Sequence, residues 1–61
     1  MSPKFLALND YIVAQNPGLS ADEMFVIMWT CDMQAYLHLG ESITGAAWHK
    51  TEFGVAPAEF I

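Results

Sequence analysis

Basic residues are almost missing from this chain. It has no arginine, and Lys4 and Lys50 stand against seven acidic residues, for a formal net charge of −5. Phosphate backbones are bound by clustered Lys and Arg that release counterions, so a nucleic-acid partner is excluded. An anionic membrane surface repels such a chain for the same reason. Cysteine is nearly missing too. Cys31 stands alone, which rules out an internal disulfide framework and suits a reducing compartment, so the cytoplasm is the expected location. Long apolar runs are also lacking. The longest unbroken one is Met24–Trp29, far short of the ~20 residues that a membrane helix requires. Asn9 and Asp10 interrupt the only early apolar stretch, so no secretory signal is read and no membrane partner is expected. There is no glycine-rich phosphate loop, nucleophile elbow, internal repeat or low-complexity tract.

What the chain does have is apolar surface. Hydrophobic residues make up 54% of its 61 positions, above the ~45–50% usual in soluble domains. The length suits a single domain, 1–61. A chain this short buries only about 60% of its unfolded surface. More apolar area is present than one small core can hide, which points to a protein partner and to a homo-oligomer. A basic partner would be steered in by the acidic charge.

The fold class expected is α+β, mainly α: two amphipathic helices, a short hairpin-like segment and a truncated third helix start. Ser2 and Pro3 form a helix start, and Phe5, Leu8 and Ile12 with Leu6 and Val13 recur at helical spacing through residue 15. Asn16-Pro17-Gly18 ends that helix. Ser20 to Glu23 reads as a capping box, reinforced by Asp22 and Glu23 at the positive end of the dipole. The second helix runs to about Leu39 and stops at Gly40. Met24, Ile27, Met28, Cys31, Ala35 and Leu39 share one face, and Phe25, Trp29 and Tyr36 widen it. After Gly40 the period changes: a turn-prone Thr44-Gly45 precedes Trp48–Thr51, which alternate as a short strand would. Pro57 with Glu59 behind it reads as the first turn of a third helix.

The groups that could carry chemistry have plainer readings. Cys31 and His38 lie seven residues apart, ~10 Å along one helix face, too far for direct proton transfer. Cys31 is therefore expected in the core. His38, Glu41 and His49 match no zinc spacing. Asp10, Asp32, Glu41, Glu52 and Glu59 read as solvated carboxylates. No catalytic residue, metal or cofactor is expected, and the chain is not read as an enzyme. Met24 and Met28 read as core, and Met33 as a surface group able to adapt to a partner. Trp48 is the largest apolar group in a segment of small residues. It is expected to be largely buried and to anchor that segment on the second helix.

The aromatic-rich helix end, Met28 to Gly40, followed by Ser42 to Pro57, resembles the Panacea domain, the SocA-like antitoxin domain. Ile43, Thr44 and Gly45 match its Ile-Thr-Gly motif, Trp48 its aromatic and Lys50 its basic residue. Phe53 and Gly54 match the start of its final turn and Pro57 the last position. The turn's first proline is lacking here. The resemblance spans about residues 20 to 60 and corresponds to the N-terminal half of that domain. It implies a hairpin returning against the long helix through a tight turn at Thr44-Gly45. It also implies a phage or mobile-element regulator that binds and neutralises a toxin partner or delivers it for degradation. The partner-binding residues implied are Met33, Tyr36, Ile43, Thr44, Gly45, Trp48, Lys50, Phe53 and Pro57. The alternative is a small self-associating structural protein with no toxin partner.

Overall fold

A computed structural model describes residues 2–52 and 54–60. Helix α1 spans Pro3–Gln15 and α2 spans Ala21–Leu39, followed by strands β1, Trp48–Thr51, and β2, Gly54–Pro57. A single 3₁₀ turn, Ala58–Phe60, comes after them. The architecture is the expected mainly α form of α+β.

Each helix starts where its cap permits. The Ser2 hydroxyl accepts from the Phe5 N–H at 3.1 Å and donates to the Thr44 carbonyl at 2.8 Å, so one side chain caps α1 and ties it to a distant loop. At α2 the capping box is complete: the Ser20 hydroxyl accepts from Glu23 N, and the Glu23 carboxylate accepts from Ser20 N. Gly40 closes α2 in the left-handed conformation, φ 78°, donating its N–H to the Tyr36 carbonyl.

The core is small. Phe5 and Ile12 of α1 meet Met28 of α2, with Leu8, Leu19, Met24, Phe25, Ile27 and Trp48 packed around them. Four aromatic rings join the elements. Phe5 and Phe25 each lie against Trp48, at 6.4 and 6.3 Å between centroids, and against Phe60, at 6.2 and 5.5 Å. The 3₁₀ turn is thereby held on both helices.

The hairpin differs from expectation in one respect. The strands pair antiparallel with Thr51 opposite Gly54 and Trp48 opposite Pro57, so the connection falls after Thr51 and not at Thr44-Gly45. Residues Gly54–Pro57, matched above to a final turn, form a strand. Gly54 takes the backbone conformation that permits this, φ 132°, and its Cα face lies against α2, where an added Cβ would stand 3.5 Å from a Val26 methyl. Pro57 ends β2, where its missing N–H costs no ladder bond, and the Ala58 N–H extends the pairing to the Ala47 carbonyl at 2.7 Å.

Candidate functional site

Three of the residues that carried the resemblance, Ile43, Thr44 and Trp48, meet at a group the sequence reading passed over. Asp32, read above as solvated, is fully buried, with 0% exposure. One carboxylate oxygen accepts from the backbone N–H groups of Ile43 and Thr44, both at 3.1 Å. The other accepts from the Thr44 hydroxyl and from the Trp48 indole N–H, the latter at 2.9 Å. A buried carboxylate is tolerated only when its lone pairs are filled, and here four donors from the returning chain fill them. The Thr44 hydroxyl also accepts from Ala46 N, and the Ser42 hydroxyl from Gly45 N, so the loop is braced within itself.

Geometry explains the position. Asp32 precedes Gly40 by eight residues, about 12 Å of helix. An extended chain of four residues, Gly40 to Thr44, covers about the same distance. The chain leaving α2 therefore runs back along it and meets the carboxylate two turns below the cap. The Ser2 bond to Thr44 sets the start of α1 at the same level.

The sequence-expected site residues divide into two groups. Thr44 and Pro57 are buried, and Trp48 is partly buried, packed against the core with its indole N–H bonded to Asp32. It anchors the segment to α2 as expected. Ile43, Gly45 and Lys50 are exposed on the same return segment and β1. Met33, half-buried, and Tyr36, exposed, lie farther along α2 and are not brought to the carboxylate. Phe53 lies outside the described residues. Asp32 did leave a signal in the sequence. It follows Met28 by four positions, on the stripe that faces the core, where a solvated carboxylate does not belong.

Beyond Asp32, α2 carries a shallow apolar depression of about 520 Å³, lined by Cys31, Ala35, Leu39 and Ile43 with Gln34 and His38 beside them. Cys31, expected in the core, is only partly buried and lines this depression, outside the core cluster. Among the described residues, no three His, Cys, Asp or Glu side chains gather into a metal-binding set. No described helix is long and apolar enough to cross a membrane.

No protein-family model, curated protein or solved structure matches the chain.

Proposed function

We propose that this protein is a protein–protein interaction module of the Panacea antitoxin kind, a cytoplasmic regulator that binds and neutralises a protein toxin. The observation that carries this reading is the convergence of Ile43, Thr44 and Trp48 on Asp32. Three of the motif residues are joined here through one buried carboxylate. A loop held by a buried carboxylate presents its exposed residues at little further cost in conformational entropy, which favours recognition of a partner. Exposed Tyr36 and half-buried Met33 on α2, with Ile43, Gly45 and Lys50 on the return segment, form the contact residues of this reading. The acidic charge favours a basic toxin surface.

The test is co-expression in bacteria with each reading frame adjacent to the gene. One frame is expected to arrest growth, the wild-type chain to relieve the arrest, and the Met33→Asp, Tyr36→Ala double variant to lose the relief while remaining folded. If no adjacent frame is toxic, or if relief survives the double variant, the reading fails.

A further inference from the structure

We propose that a second copy of this chain docks on the Cys31–Ala35–Leu39 face of α2, giving an antiparallel, two-fold symmetric helix pair whose axis passes near Ala35. This goes beyond the toxin-binding reading and does not rest on it.

The first argument is charge. Asp10, Asp22, Glu23, Glu41, Glu52 and Glu59 are all exposed, so two copies repel over most of their surface. From Met24 to Gly40, however, the only carboxylate is Asp32, which is fully buried, and there is no lysine. On this tract, roughly four and a half helical turns long, two acidic chains can approach without opposing charges.

The second argument is shape. An isologous interface needs a patch that complements itself. Here the patch has both parts. Leu39 projects, 77% exposed, while Cys31 and Ala35, small residues two turns and one turn earlier in the same row, floor the depression. Reversing one helix about Ala35 places Leu39 of each copy over Cys31 of the other. Small residues at the crossing let the helix axes come close.

The experiment uses the whole chain. Sedimentation equilibrium across micromolar to millimolar concentration is expected to show a reversible shift from the 6.8 kDa chain mass to twice that value. Leu39→Glu, at an exposed position, is expected to keep the helical spectrum and weaken the dimer on the order of 100-fold. Leu37→Glu lies about 160° round the helix from Leu39 and is expected to leave the dimer intact. Geometry is read with Leu39→Cys under mild oxidation by a copper catalyst. Within one chain, Cys31 and the introduced thiol would be about 12 Å apart along α2, too far to bridge. A covalent dimer would therefore report contact between copies, and adding Cys31→Ser to the variant is expected to abolish it. Wild-type protein, with Cys31 alone, is expected not to cross-link under the same conditions. A monomer throughout, a dimer broken by Leu37→Glu but not by Leu39→Glu, or equal cross-linking of the wild type would each overturn the proposal.

Discussion

The two parts of α2 are made of similar residues and meet opposite fates. From Ala21 to Asp32 the helix supplies Met28 and Asp32 to the interior, both at 0% exposure, and half-buries Met24, Phe25 and Ile27. From Met33 to Leu39 no residue is buried, although Tyr36, Leu37 and Leu39 are as apolar as those before them; Leu37 is 76% exposed. Composition does not distinguish the two parts. The reach of their neighbours does. Helix α1 has 13 residues against 19 in α2, and Ser2, Thr44 and Asp32 are bonded at one level. Beyond that level α2 projects as an arm. Hydrophobicity sets what a helix can bury, and the length of what packs on it sets what it does bury.

Substitutions that contrast the packed part with the arm test this account. The largest effect is expected at Asp32. Asp32→Ala removes the acceptor for four donors, at least one of which, Thr44 N, is in the interior. Breaking a buried charged network costs about 3–5 kcal/mol. That approaches the whole stability of a small domain, ~5 kcal/mol at the low end. Urea denaturation followed by far-UV circular dichroism is expected to show a chain largely unfolded without denaturant. A midpoint equal to the parent's would mean that the return segment is held by other contacts.

A narrower test isolates the indole. Trp48→Phe keeps an aromatic ring beside Phe5 and Phe25 but loses the N–H bonded to Asp32. Hydrogen bonds to charged groups contribute about 1.5–3 kcal/mol. The same melt should show a loss in that range. In a double-mutant cycle with Asp32→Asn the combined loss should fall short of the sum, since both variants break one bond. Strict additivity would separate Trp48 from the carboxylate.

Ser20→Ala comes next, with an expected cost of about 0.5–2 kcal/mol through loss of the cap at Glu23 N. An unchanged thermal midpoint would place the effective start of α2 elsewhere.

The smallest effect is expected on the arm. Leu37→Gln should change stability by no more than ~0.5 kcal/mol, as surface substitutions away from special features do. Truncating Met28, a side chain of similar size, to Ala should cost about 2–5 kcal/mol. If the two variants melt alike, the arm is covered and the contrast between the parts of α2 does not hold.

Much of the fold was legible because its signals are local. Ser2 with Pro3, the Ser20–Glu23 box and Gly40 bound the two helices through contacts within a few residues along the chain. The alternation of Trp48–Thr51 marked a strand for the same reason. The site was less legible. Trp48 stood out by size, but the partner of its N–H, Asp32, depended on the chain returning along α2. Cys31 looked like core because its helical face continues that of Met28, and only the reach of α1 decides how far that face is covered.

The sequence by itself determined where each helix begins and ends, the acidic surface and the excess of apolar residues, since these depend on neighbouring positions or on composition. Tertiary structure alone decided that the connection of the hairpin follows Thr51, that Gly54–Pro57 pairs as a strand, and that Asp32 is buried. A carboxylate can leave water only if enough donors meet it. Those donors come from Ile43, Thr44 and Trp48, 11 to 16 positions away, and only the folded chain brings them there.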